Sequence, residues 1–168
     1  GYESVPTTTI STPIPYRPPV PKADLREAVM DTLAGAGMQE VISYPLVSSE
    51  DLERVNGLER SNPPLRIANP LSVDREFLRP TLRASLLATL ASNQGHSEGP
   101  FRLFEVGHTF HSRPEDLPHE RQMLAFLVSG RRWEPSWLED DSRVDFFDAK
   151  GIVQTVMDVL GIAADFES

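Results

Sequence analysis

The sequence predicts an α+β domain: an antiparallel sheet with helices packed to one side. Three observations carry this. Phe101-Arg-Leu-Phe-Glu-Val-Gly-His-Thr-Phe110 has the composition of a strand with two alternating faces. Leu25, Val29 and Leu33 recur at i, i+4 and i+8, the apolar stripe of a helix. The elements run helix, strand, helix, strands, helix, strands, helix. Long helical crossovers between every pair of strands are missing, which argues against a doubly wound parallel sheet.

The elements follow in order. Residues 1–21 hold Pro6, Pro13, Pro15, Pro18, Pro19 and Pro21. Each ring fixes φ and removes a donor, so this stretch is expected to be an extended linker. Asp24 is a plausible N-cap for a first helix ending near Ala36, with Met30 widening its stripe and Gly35 or Gly37 terminating it. Glu40 to Val47 is rich in strand-forming residues, and Pro45 marks an edge or a bulge. Ser48-x-x-Asp51 caps a short helix through Val55. Leu65 to Ala68 and Glu76 to Arg79 are short strands, the first ended by Asn69-Pro70. A helix from Thr81 to Asn93 places Leu82, Leu86, Leu87 and Leu90 on one face. A loop from Gln94 to Pro100 leads into the strand at Phe101, and Gln122 to Ser129 is the next strand. Asp148 caps a last helix to Leu160, whose Ile152, Val153, Val156, Val159 and Leu160 face a core.

Bulk properties narrow the function. The chain has 168 residues, 39% hydrophobic and 24% charged, which fits one globular domain. No apolar run approaches the roughly 18 residues of a membrane span. No basic segment leads into an apolar one at the N-terminus, so no signal peptide is expected. Cysteine is absent, which excludes disulfides and thiolate metal sites and fits a reducing, cytoplasmic setting. Net charge is −9 with dispersed basic residues. Phosphate neutralisation supplies most nucleic-acid affinity, so strong direct binding of nucleic acid by this chain alone is not expected.

Candidate chemistry is sparse. Glu105 lies in a mostly apolar strand and needs a partner if buried. A structural ion pair or hydrogen bond is the favoured account, and a ligand-binding remnant is the alternative. His108 and His111 are three apart in a strand and point to opposite faces, so they cannot share a metal without a bulge. Asp145 and Asp148 flank Phe146-Phe147, and helix capping explains Asp148 better than a catalytic carboxylate pair does. No G-x-x-x-x-G-K-[ST] or G-x-G-x-x-G occurs. Trp133 and Trp137 read as a lid folded back on the core, with an interface anchor as the alternative.

Several segments together carry a resemblance. They are Gly37-Met-Gln-Glu-Val-Ile-Ser-Tyr44, Asn69-Pro-Leu-Ser72, Leu78-Arg79 with Leu82 and Leu86-Leu87, Phe101 to Phe110, and Asp145-Phe-Phe-Asp-Ala-Lys-Gly151. In order and spacing the chain resembles the synthetase-like core of the phenylalanyl-tRNA synthetase beta chain. Gly1 to Pro6 resembles the end of the preceding B5 domain. The resemblance divides the chain into a linker, 1–21, and a partial core, 22–168.

That resemblance implies a class II aminoacyl-tRNA synthetase-like antiparallel sheet flanked by helices and incomplete at the C-terminus. It also implies a two-alpha, two-beta assembly that attaches phenylalanine to its tRNA with ATP and Mg²⁺. The catalytic site belongs to the alpha subunit, which is the implied partner; tRNA is met only through the full assembly. In the alpha chain an arginine holds the ATP α-phosphate, and His111 stands in its place here. A neutral imidazole lacks the five-donor charged fork of guanidinium. No catalytic residue and no cofactor of its own are therefore expected of this chain. Residues of a degenerate pocket would be Arg102, Glu105, His108 and His111, the alternative being that they still bind a nucleotide or an amino acid. A stand-alone regulatory paralogue is a further alternative. On the first helix, Arg26, Met30 and Leu33 are the candidates for contact with the alpha subunit, against the reading that its apolar residues are all intramolecular core.

Overall fold

The computed structural model describes residues 1–9, 11–16, 18, 20–55, 63–70, 72–97, 99–114, 116–134, 136–138 and 141–163. Leu71 of the Asn-Pro-Leu-Ser turn, Pro19 and Pro135 lie outside the described residues.

Helix α1 spans Pro21–Gly35. Proline at the first position has the φ a helix needs and no donor to waste, so the helix opens at Pro21 with Val20 as N-cap. Asp24 is therefore in the first turn and is not the cap. At the other end Met38 N–H donates to Leu33 O at 3.0 Å and Gly37 N–H to Ala34 O at 3.0 Å. Gly37, at φ +79°, supplies the left-handed residue that this closure requires.

Strand β1, Gln39–Glu40, runs parallel to β4 at Leu103 and Phe104. The expected strand from Glu40 to Val47 breaks after Val41, whose N–H reaches Phe104 O at 2.7 Å. Ile42 and Tyr44 are exposed. The break has a cause: Ser43 turns toward Glu105, and Pro45 has no N–H to give a ladder. Strand β2, Leu46–Val47, then pairs antiparallel with β3, Phe77–Leu78. Helix α2, Ser49–Arg54, is capped by Ser48, whose side chain accepts from Asp51 N–H, as the spacing predicts. The expected strand at 65–68 reduces to a single bridge, Arg66 to Phe77, held by an Arg66–Glu76 ion pair of 2.9 Å.

Helix α3 is Arg83–Gln94. Leu82 and Leu86 are buried, while Leu87 is exposed, so the apolar face is narrower than the sequence suggests. Strands β4, Phe101–His111, and β5, His119–Ser129, pair antiparallel along their whole length, from Phe101↔Ser129 to His111↔His119. β5 starts three residues before its expected start at Gln122. Helix α4 spans Phe146–Val159.

The main sheet has the order β1-β4-β5 and is mixed, because β1 is parallel to β4. This corrects the all-antiparallel expectation. Helices lie on both faces, which corrects the one-sided one. Phe104 packs with Leu33 of α1, Met38 and Val156 of α4, backed by Leu124, Phe126 and Val128 of β5. The opposite face, carrying Leu103, Glu105 and Thr109, meets Arg79, Leu82 and α3. Leu103, Phe104 and Glu105 are consecutive and all buried, which requires cover on both sides of the strand. A second cluster joins Val47, Leu52 and Ala84. Trp137 is 91% exposed and Trp133 about half exposed. Neither closes over the core as a lid.

Candidate functional site

The centre of the sheet holds a buried charged network. Glu105 is 3% exposed and Arg79 is 4% exposed. Arg79 Nη1 donates to Glu105 Oε1 at 2.6 Å and to Ser43 Oγ at 2.7 Å. Ser43 Oγ donates to Glu105 Oε2 at 2.7 Å, and its N–H reaches Oε1 at 3.4 Å. Arg79 Nε donates to the His108 carbonyl at 2.9 Å, while Arg79 O accepts from Phe110 N–H at 3.0 Å. Backbone and side chain of Arg79 thus stitch β3 to the free edge of β4. No buried side-chain nitrogen or oxygen among the described residues is left without a hydrogen bond. Gly107 is part of the arrangement: a Cβ there would overlap Arg79 Nη2 and lie 3.1 Å from Glu105 Oε1.

The four predicted pocket residues are dispersed. Glu105 and His108 border one cleft of ≈ 350 Å³ together with Arg26, Glu40 and Arg79. His108 itself is exposed. His111 lies on the Glu105 face, farther along, with Nε2 3.2 Å from Thr109 Oγ1. Arg102 is on the Phe104 face, donates to Arg132 O at 2.7 Å and sits 5.8 Å from the Trp133 ring. Arg79 and Ser43, which complete the network, were missed in the sequence. The signal for Arg79 was present: a lone cation ending the apolar pair Phe77-Leu78 calls for a buried anion, as Glu105 calls for a cation. Among the described residues no three His, Asp or Glu side chains gather as a metal site.

On α1, Leu33 is 0% exposed and belongs to the chain's own core. Met30 is partly buried against the same cluster, and Arg26 is half exposed, 3.8 Å from Glu40. No helix of the described residues is long and apolar enough to cross a membrane.

A second charged group holds the start of α4. Asp145, not Asp148, is the N-cap: its side chain accepts from Phe147 and Asp148 N–H. Asp148 returns the bond by accepting from Asp145 N–H at 2.8 Å, a reciprocal capping box. Arg132 donates to Asp148 through Nε at 3.0 Å and Nη2 at 2.9 Å. The Arg132 hydrogen bond, then the Asp145 N–H, hold the Asp148 carboxyl below its ordinary aspartate value against a desolvation that raises it. A folded-state pKa below the unfolded one gives stability that is present above the unfolded value and lost as pH falls through the folded value. Asp148→Asn is therefore expected to flatten the acid limb of a stability-against-pH curve while costing about 1 kcal/mol near neutrality. Urea unfolding from pH 7 down to pH 2 checks it; an acid limb identical to that of the parent chain refutes the assignment.

Residues 5–168 match the phenylalanyl tRNA synthetase beta chain CLM domain. The phenylalanine–tRNA ligase beta subunit of Dehalococcoides mccartyi is 37% identical over 167 residues, covering 99% of this chain and 20% of that protein. The subunit of the same name from Syntrophus aciditrophicus is 33% identical, covering 96% of this chain and 20% of its own length. The chain thus spans about a fifth of the length of these relatives. Among solved structures, a pyrrolysyl-tRNA synthetase from Desulfitobacterium hafniense superposes with a TM-score of 0.62 at 18% identity, covering 87% of this chain and 47% of that one. That likeness is one of fold.

Proposed function

The chain belongs to the phenylalanyl-tRNA synthetase beta chain CLM-domain family, and we propose from this that it is a non-catalytic, synthetase-like scaffold within a phenylalanine–tRNA ligase beta subunit. In this reading it packs against the catalytic alpha subunit in a cytoplasmic two-alpha, two-beta assembly. That assembly uses ATP and Mg²⁺ to charge tRNA, and the chain meets tRNA only through it. Residues 1–21 are the linker of this reading and residues 22–168 its synthetase-like core.

One observation carries the scaffold reading. The guanidinium at the centre of the sheet face is committed inside the fold, with Glu105, Ser43 and the His108 carbonyl as its partners. Adenylate chemistry needs a charged fork free to follow a phosphate through the transition state, and the fork at this position is not free. Arg79 cannot leave Glu105 without stranding a buried carboxylate. His111, at the position where the resemblance places the phosphate-holding arginine, offers no such fork.

Two measurements test this. Sedimentation of the beta polypeptide against the catalytic alpha subunit is expected to show a complex that Met30→Lys weakens at least about tenfold, since a lysine would carry charge into an apolar contact. Unchanged affinity would remove the α1 flank from the interface. ATP–pyrophosphate exchange by the beta polypeptide without the alpha subunit is expected at background, and a phenylalanine-dependent signal would overturn the non-catalytic role.

A further inference from the structure

Most described arginines hold a carboxylate, among them Arg79, Arg131 and Arg132. Arg83 and Arg121 do not, although the chain carries a net charge of −9. Both line one cleft of ≈ 320 Å³ on the Glu105 face, at the end of the sheet where β4 turns into β5. Arg83 Nε is turned toward Thr81 Oγ1 at 3.3 Å, and Arg121 Nε toward His119 Nδ1 at 3.5 Å. Register explains why these groups converge. Thr109 lies opposite Arg121 and His111 opposite His119, so all four share one face.

Thr109, only 2% exposed, lies at the base of the cleft, with its Oγ1 3.2 Å from His111 Nε2. Pro80, Leu82, Met123 and Ala125 supply apolar wall. No carboxylate lines the cleft among the described residues. Two guanidinium groups without an acidic partner form the donor set for a multiply charged oxyanion, over a floor in which the Thr109 hydroxyl already donates to Arg121 O at 3.4 Å. Apolar walls around a few polar groups are the general form of a small-ligand site.

We infer that this cleft binds the phosphate group of a small phosphate monoester, with Arg83 and Arg121 as its clamp and the Pro80–Leu82–Met123 wall against the ligand's apolar body. The inference does not rest on the scaffold role, since it requires binding and no chemistry. Its test is independent of any partner subunit.

Phenyl phosphate, inorganic phosphate and benzoate serve as probes in titration calorimetry on the intact beta polypeptide, without the alpha subunit. Phenyl phosphate is expected to bind one per chain. Inorganic phosphate, lacking the body, and benzoate, with one charge and two oxygens, are each expected to bind at least about tenfold more weakly. The double variant Arg83→Gln/Arg121→Gln is expected to lose phenyl phosphate binding by at least about tenfold. Both side chains are solvent-exposed, so its unliganded thermal midpoint is expected to match the parent. Three outcomes overturn the inference: no saturation at millimolar phenyl phosphate, equal affinity for benzoate, or undiminished binding by the double variant with its fold intact.

Discussion

Arg79→Ala is expected to destabilise the chain by about 3–5 kcal/mol, because it leaves the Glu105 carboxylate buried without its cation. The two side chains are 5% and 4% exposed and meet at 2.6 Å, so solvent does not screen the loss. Ser43 would remain as the only described donor to Glu105, with one hydroxyl and one N–H. The His108 carbonyl would lose its guanidinium partner as well. At this chain length the midpoint of thermal unfolding is expected to fall by on the order of 10 °C. Glu105→Ala leaves the opposite charge stranded and is expected to cost a similar amount. The double variant Arg79→Met/Glu105→Leu separates pairing from packing. Two apolar side chains leave no buried charge, so its cost is expected to be well below the sum of the single losses. Denaturant unfolding of the three variants gives the coupling directly. A loss under about 1 kcal/mol for Arg79→Ala would show that water reaches Glu105 and that the network is not the keystone of this face.

Strong local signals transferred well from sequence to structure. Ser48 caps α2, Gly37 closes α1, and β4 alternates faces about Phe104 and Glu105 as its period dictates. What the sequence concealed was long-range. Glu40 to Val47 has the composition of one strand, but Ser43 is drawn out of line by a carboxylate 62 residues away. Composition cannot see that partner. Asp148 was a plausible N-cap by type, yet Asp145 is equally plausible, and Arg132 fixes the arrangement from a loop. Helices on both faces of the sheet were hidden because β4 alternates regardless of what covers each side. The four pocket residues were chosen from one strand. A strand sends neighbours to opposite faces, so a set drawn along it was bound to divide between them.

Leu33→Ala is expected to cost about 2–5 kcal/mol and to do so without any partner present. Leu33 is fully buried in the cluster with Met38, Phe104 and Val156, where α1, α4 and the sheet converge. Its carbonyl accepts the Met38 N–H that closes the helix, and the substitution leaves that bond in place. The loss is therefore one of packing, a transfer term plus whatever cavity the neighbours fail to close. This gives the α1 face an internal control. Arg26 and Met30 lie one or two turns N-terminal to Leu33, and both retain exposed surface. A lysine at position 30 reaches water along its own stem, so Met30→Lys is expected to leave unfolding within about 1 kcal/mol of the parent. A residue that acts through the fold changes unfolding first and partner affinity only in proportion. A residue that acts through the interface does the reverse. Measured together, Leu33→Ala and Met30→Lys are expected to fall on opposite sides of that divide. If both lower stability alike with no separate effect on the alpha subunit, α1 is core on every face and the subunit contact lies elsewhere on the chain.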